Sequence, residues 1–342
     1  MPPRWNATII KDDLGKEQKA VSPIIISASR STDIPAFYSD WFFDRLARGY
    51  CLWTNPFNGV PLYISFAQSR FFVFWSKNPQ PMLSRLNELT DRGLGYYFQF
   101  TLNDYDAEKY EPFVPSLQKR ITTFKRLSGQ LGRHRVIWRF DPLILTNLVS
   151  VESLLERIES LMDELHEYTE KCVFSFADIA TYKSVQRNLA KNKVDAREFT
   201  EDEMRRVATQ IGLLAKKYGL HAATCAEKLE LKDLNVEHNK CIDDDLIMRC
   251  CPDDVELRKF LGRAEVQQAD MFGVTSQKAT DKHKLKDAGQ RDACGCIVSK
   301  DIGSYNTCPH MCVYCYANTS HESVQRNLKE HMKNSHSPSI KI

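Results

Sequence analysis

The chain has 342 residues, 47 basic and 44 acidic, for a formal net charge of +3, with 42% hydrophobic residues. This is an ordinary composition for a globular protein, and the charge is too balanced to argue for a nucleic-acid or membrane-surface partner. No run of about eighteen apolar residues occurs and the opening Met1-Pro2-Pro3-Arg4-Trp5 has no apolar export stretch, so a cytoplasmic protein without a membrane partner is expected. Eleven cysteines in a reducing compartment point to metal or catalysis rather than disulfides, and five of them fall between Cys294 and Cys315.

Residues 1–22 are polar and weakly patterned and read as a surface extension, with structure beginning at Pro23. From there a unit repeats: a short apolar β-rich run, a polar residue or Pro that stops it, then an amphipathic helical stretch. The predicted strands are Ile24–Ser29, Cys51–Thr54 in a small hairpin with Leu62–Phe66, Phe71–Trp75, Tyr96–Leu102, Arg135–Phe140, Cys172–Phe176 and His221–Cys225. Helices are expected to about Arg48, with Asp33 or Thr32 as cap and Pro35 in the first turn, and to about Leu89. Further helices are expected over about 116–127, 151–167 and 199–218.

Near-continuous apolar strands alternating with helices predict an α/β fold with a helix-covered parallel sheet, for which a TIM-like (β/α) barrel, complete or partial, over 23–260 is the simplest closure. Residues 261–293 are polar, with Lys278, Asp281, Lys282, His283 and Lys284 among them, and read as a linker or surface loop. The segment 294–342 carries a last candidate strand, Ile297-Val298-Ser299, a cysteine-rich loop and a terminal helix. Ser-Val-Gln-Arg-Asn-Leu occurs at 184–189 and again at 323–328 with unlike flanks, and reads as coincidence rather than an internal repeat.

The most informative stretch is Cys308-Pro309-His310-Met311-Cys312-Val313-Tyr314-Cys315. Its C-x3-C-x2-C spacing lets one loop fold three sulfurs around one inorganic body, leaving a coordination position open if that body is a four-iron cluster. Half of a structural zinc site is the other reading, although zinc favours paired C-x2-C units and four-ligand closure. Residue by residue, Cys308, Cys312, Tyr314 and Cys315 match the C-x3-C-x(aromatic)-C signature of the radical S-adenosylmethionine superfamily, and 306–317 resembles its spore photoproduct lyase branch. That resemblance implies a [4Fe-4S] cluster on Cys308, Cys312 and Cys315, and S-adenosylmethionine on the uncovered iron. It further implies reductive cleavage of that molecule to a 5′-deoxyadenosyl radical, and a reductant protein such as flavodoxin or ferredoxin. His310, inside the loop, reads as a loop-shaping residue rather than a ligand. The resemblance allows a nucleic-acid substrate, for which the charge gives no support. In that superfamily the loop follows the first barrel strand; here it follows the last, which implies a circular permutation. Over about residues 23–320 the chain also resembles an uncharacterised prokaryotic family, a domain of unknown function with the octet at its C-terminal end.

In a barrel the functional face is the C-terminal edge of the strands. The polar strand ends expected there include Arg30, Asn55, Lys77, Gln99, Arg139 and Asp141, which with Tyr314 are the candidate cofactor-binding residues. Arg30, Lys77 and Arg139 suit a carboxylate or phosphate, while Arg139 with Asp141 also reads as a structural ion pair. Cys225, Cys241, Cys294 and Cys296 form a candidate second metal site for zinc or another iron-sulfur cluster, or are small core residues. Two rival readings stay open: a metal-binding regulatory protein without S-adenosylmethionine chemistry, and a cluster-free barrel enzyme acting through its polar rim.

Overall fold

The apolar runs order themselves into one large sheet in the computed structural model, which describes residues 5–263 and 285–341. Most of the expected linker, with Lys278, Asp281, Lys282, His283 and Lys284, lies outside the described residues. The architecture is mixed α/β. Eight strands build the sheet: β1 (Ile25–Ala28), β2 (Phe71–Ser76), β3 (Gly95–Thr101), β4 (Val136–Leu143), β5 (Lys171–Phe176), β6 (His221–Thr224), β7 (Val236–His238) and β8 (Lys300–Asp301). Their spatial order is β7-β6-β5-β4-β3-β2-β1-β8, and every neighbouring pair is parallel.

Each strand is apolar on both faces because each face has its own cover. Ile26, Phe72, Phe74, Tyr96 and Phe98 join Phe42, Leu86 and Leu89 in the larger core. Ile25, Phe71, Val73 and Tyr97, one position out of step on the same strands, join Ile242, Ile247 and Leu257 in the second. A shift of one residue would exchange the two sets, so the register is fixed by burial. Helix starts follow the expected chemistry. Asp33 accepts from Ala36 N at 3.0 Å, and Thr200 with Glu203 forms the capping box of helix Glu201–Tyr218, which Gly219 ends at φ 68°.

The last strand lies at Lys300–Asp301 rather than at the expected Ile297-Val298-Ser299, where Ile297 makes an isolated bridge to Lys286, and it runs beside the first strand. Asp301 bolts them together, accepting from Ser27 Oγ at 2.6 Å, Ser29 Oγ at 2.8 Å and the N–H groups of Arg30 and Gly303 at 2.9 Å each. Among the described residues the ladder does not close, since β7 and β8 are the two ends of the sheet. The segments beside them meet instead through Ile297 N–H donating to Ile242 O at 3.2 Å.

Residues before Pro23 are structured, contrary to the sequence reading. Asn6–Lys11 and Glu17–Ser22 pair antiparallel and, with Pro61–Ser65 and Tyr50–Thr54, make a four-stranded sheet. The turn between them is held by Asp12 Oδ1, which accepts from Leu14 N at 3.0 Å and Lys16 N at 2.9 Å, with Gly15 at φ 76°. Their burial alternates, but the inward positions include the polar Thr8, Gln18 and Ser22 while Ile9 is 65% exposed, which is why the period is faint in the sequence.

Candidate functional site

A cavity of about 880 Å³ opens at the C-terminal edge of the large sheet. The side chains that follow the strands line it: Arg30 after β1, Lys77 after β2, Arg139 and Asp141 from β4, Cys225 after β6. Trp53 and Phe57, from the small sheet, cover one side. A second cavity of about 710 Å³, between helix Glu201–Tyr218 and β7, has no cysteine in its wall.

Cys308, Cys312 and Cys315 all face the large cavity. Their loop turns through left-handed backbone at Met311 (φ 54°) and Asn306 (φ 61°). For a bulky Met that conformation costs about 1–2 kcal/mol, a strain that persists only where the surroundings enforce it. Here they do. Asn188 Nδ2 donates to the carbonyls of Cys315 (2.8 Å) and Asn318 (2.9 Å), Asn318 Nδ2 to Cys308 O (2.8 Å), and Asn327 Nδ2 to Asn306 O (2.8 Å). Asn188 and Asn327 are the same position of the repeated hexapeptide. Both copies are helical, in Lys183–Lys191 and His321–Lys333, with Val185 and Val324 buried. The hexapeptide is thus one device used twice, an apolar anchor with an amide that grips the cysteine loop.

Inside the octet, His310 is buried and bridges two elements, with Nε2 at 2.8 Å from Asp33 Oδ2 and Nδ1 at 3.2 Å from Phe113 O. Asp33 also accepts from Ser76 Oγ and Lys77 N, both at 2.7 Å. The loop is thereby tied to the ends of β1 and β2, and His310 takes the shaping role expected of it. Tyr314 Oη donates to Glu111 and accepts from Asn103 Nδ2 at 3.0 Å and Lys77 Nζ at 3.2 Å. Its hydroxyl is spent in that buried network, so only its ring is left to the cavity.

The electrostatics keep the three octet sulfurs as neutral thiols when nothing is bound. Burial pushes the Cys308 thiol up to about 12, with Asp33 adding to the rise, and pushes Cys315 up as well. Burial raises Cys312 well above the ordinary thiol value, against the opposing pull of Lys77. Burial disfavours the Lys77 ammonium, but Glu111 and then Cys312 outweigh it and hold it above its ordinary value. Among the described residues no three cysteine sulfurs lie within 4.8 Å of one another.

The expected rim residues divide. Arg139 and Asp141 line the cavity as an ion pair, Nε to Oδ2 at 3.1 Å, and Asp141 also accepts from Ser175 Oγ. Lys77 is paired with Glu111 at 2.7 Å. Arg30 stacks over Trp75 at 5.1 Å, and its Nη2 is buried without a hydrogen-bond partner. Two expectations fail. Asn55 Oδ1 accepts from Phe57 N at 2.9 Å, closing its own turn outside the cavity wall. Gln99 is 1% exposed and sits behind the wall, where Nε2 donates to Cys241 O at 3.0 Å and Oε1 accepts from Arg139 Nη1 at 3.2 Å. Glu111, Asn103 and Asp301 were not anticipated; Asn103 and Glu111 lie in the long loop after β3, where no periodicity singles them out.

Cys225, Cys241, Cys294 and Cys296, far apart in sequence, meet on the same cavity. Cys225 and Cys241 have their sulfurs 3.4 Å apart, and Gly295 lets the Cys-Gly-Cys turn lie against the chain at 239–240. A Cβ there would be 3.0 Å from Lys240 Cγ. Cys51 and Cys172 are fully buried in strands, as core residues.

Comparison with curated proteins finds no significant match. Among solved structures, one named "putative alpha-L-fucosidase" from Bacteroides thetaiotaomicron is similar at 12% identity and TM-score 0.25, over 58% of this chain and 75% of that one. At that score the likeness carries no argument about this fold. Among the described residues, no helix is long and apolar enough to cross a membrane. A comparison with protein families matches residues 25–317 to DUF1848, a domain of unknown function. The match runs from the first residue of β1 to two residues past the third thiol of the octet, and the chain belongs to the DUF1848 family.

Proposed function

We propose that this protein is a radical S-adenosylmethionine enzyme, with Cys308, Cys312 and Cys315 holding a [4Fe-4S] cluster. The observation that carries the reading is that three thiols of one loop, at C-x3-C-x2-C spacing, face a single large cavity at the C-terminal edge of a parallel sheet. A reduced cluster held by Cys308, Cys312 and Cys315 would supply one electron to the sulfonium of S-adenosylmethionine, whose S–C5′ bond would break to methionine and a 5′-deoxyadenosyl radical. The chain's own part is binding and orientation. Trp53, Trp75, Tyr182 and Tyr305 line the cavity and offer aromatic faces for a nucleoside. Lys77 lies beside the Cys312 sulfur and offsets the negative charge of thiolate ligands. The parallel sheet, with its last strand beside its first, is read as a TIM-like barrel left open between β7 and β8, its cysteine loop moved to the end of the chain by circular permutation. A small redox protein such as a flavodoxin or ferredoxin and a cytoplasmic setting belong to the same proposal.

The test is anaerobic reconstitution with iron and sulfide, followed by an assay for 5′-deoxyadenosine in the presence of dithionite and S-adenosylmethionine. Wild type is expected to bind iron and release 5′-deoxyadenosine, and Cys312→Ala to lose that release. An iron-loaded wild type that forms no more 5′-deoxyadenosine than Cys312→Ala overturns the proposal, as does a protein that takes up only zinc.

A further inference from the structure

The geometry points to a second iron-sulfur cluster, ligated by Cys225, Cys241, Cys294 and Cys296 on the same cavity as the octet. It is a separate site that stands whether or not the octet cleaves S-adenosylmethionine. The four sulfurs come from three separate segments, the end of β6, the stretch after β7 and the approach to β8, and all four line the cavity wall. Hydrophobic burial alone does not require convergence of that kind.

Donors already point at the sulfurs. Cys296 Sγ accepts from the N–H groups of Cys241 at 3.2 Å and Ile242 at 3.4 Å. Cys241 Sγ accepts from Arg139 Nη1 at 3.0 Å and Asn239 Nδ2 at 3.3 Å. A neutral thiol is a weak acceptor, whereas a metal-bound thiolate is a strong one, and N–H groups aimed at cysteine sulfurs tune cluster potentials. Cation placement agrees. The guanidiniums of Arg30 and Arg139 both face this group, and Arg30 Nη2 is buried there without a partner. A cluster held by four thiolates carries net negative charge, which these two cations offset.

The four thiols form a chain of neighbours: Cys225 and Cys241 have their sulfurs 3.4 Å apart, Cys241 contacts Cys296, and Cys296 contacts Cys294. Zinc is the other occupant that four thiolates would take, and the uptake of sulfide with the metal separates the two.

The test uses the full chain, reconstituted anaerobically with ferrous iron and sulfide, with metal and acid-labile sulfide counted per chain and electron paramagnetic resonance recorded after dithionite reduction. Cys308→Ala/Cys312→Ala/Cys315→Ala is expected to keep roughly a third to a half of the wild-type iron and sulfide, and a reduced-state signal. Adding Cys225→Ala/Cys241→Ala to it should remove both. Loss of all iron in the first variant with native circular dichroism, or uptake of zinc without sulfide, overturns the second cluster. Should the first variant misfold, Cys225→Ala/Cys241→Ala in the wild-type background decides. A fall of roughly a third to a half in iron supports the second cluster and unchanged iron overturns it. If removing the octet thiols leaves the iron content unchanged, the second cluster stands and the function proposed for the octet fails.

Discussion

Glu111→Gln is expected to destabilise the protein by about 3 kcal/mol, the lower end of the range for stranding one member of a buried ion pair. Glu111 is 5% exposed and accepts from Lys77 Nζ at 2.7 Å, Asn103 Nδ2 at 3.0 Å, Arg120 Nη1 at 3.3 Å and Tyr314 Oη. A glutamine oxygen keeps three of these acceptances, but its NH₂ faces Arg120, donor to donor. Arg120 has reserves, since Asp106 and Asn103 O each accept from it at 2.7 Å. Among the described residues Lys77 has no second carboxylate in hydrogen-bond reach, only the Tyr314 hydroxyl at 3.2 Å and that residue's ring, with Asp141 acting on it at longer range. The cost therefore falls mainly on Lys77, and stays at the lower end because its side chain is 15% exposed and can turn into the cavity. Lys77→Met is expected to cost less, about 1–2 kcal/mol, because Glu111 keeps Arg120 and its neutral donors. The double variant should then be less destabilised than the sum of the singles by about 1–2 kcal/mol. Urea unfolding at pH 7, with reductant and chelator so that metal does not enter, measures all three. The reasoning is refuted if Glu111→Gln costs less than Lys77→Met, or if the two effects simply add.

Glu227, 9% exposed, is raised from 4.5 to about 7, chiefly by burial. A raised carboxyl favours the folded state fully below 4.5 and loses that advantage as pH rises through about 7. Glu227→Gln should therefore match wild type near pH 4.5 and exceed it by up to about 3 kcal/mol at pH 8, read as the pH dependence of the urea midpoint. Gly212→Ala should destabilise by roughly 2–4 kcal/mol, although alanine is the better helix former by about 1 kcal/mol. The added Cβ would lie 2.1 Å from the backbone oxygen of Leu234, which cannot swing aside; thermal unfolding that shows no loss would refute the contact.

Most of the large sheet was legible because runs such as Phe71-Phe72-Val73-Phe74 are apolar on both faces and sit between Pro, Asn and Asp stops. β7 was not, since Val236-Glu237-His238 is three residues long with one apolar side chain. The N-terminal hairpin escaped because polar Thr8, Gln18 and Ser22 fill inward positions while Ile9 points outward, so its sequence lacks the alternation that its burial shows. Within the site, the octet was readable from spacing, and so was the set of strand ends that open on the cavity. Whether a given polar strand end would meet a ligand or a neighbour was not. Lys77 and Arg139 carry carboxylates brought by Glu111 and Asp141, while Asn55 and Gln99 are turned to backbone groups, and only three-dimensional placement decides between those fates. The hexapeptide had a readable signal, its identity in two copies, but no local property links it to a loop far away in sequence.

The asparagine grips on the octet bear on how the protein treats an empty site. Many metal loops are ordered only by the ion they bind, and their affinity is lowered by the freedom surrendered on loading. Here side-chain amides from two helices and from Asn318 hold the carbonyls that flank the thiols. A chain stripped by chelators should keep its shape and reload quickly, with proton release from the three sulfurs as the main obstacle left.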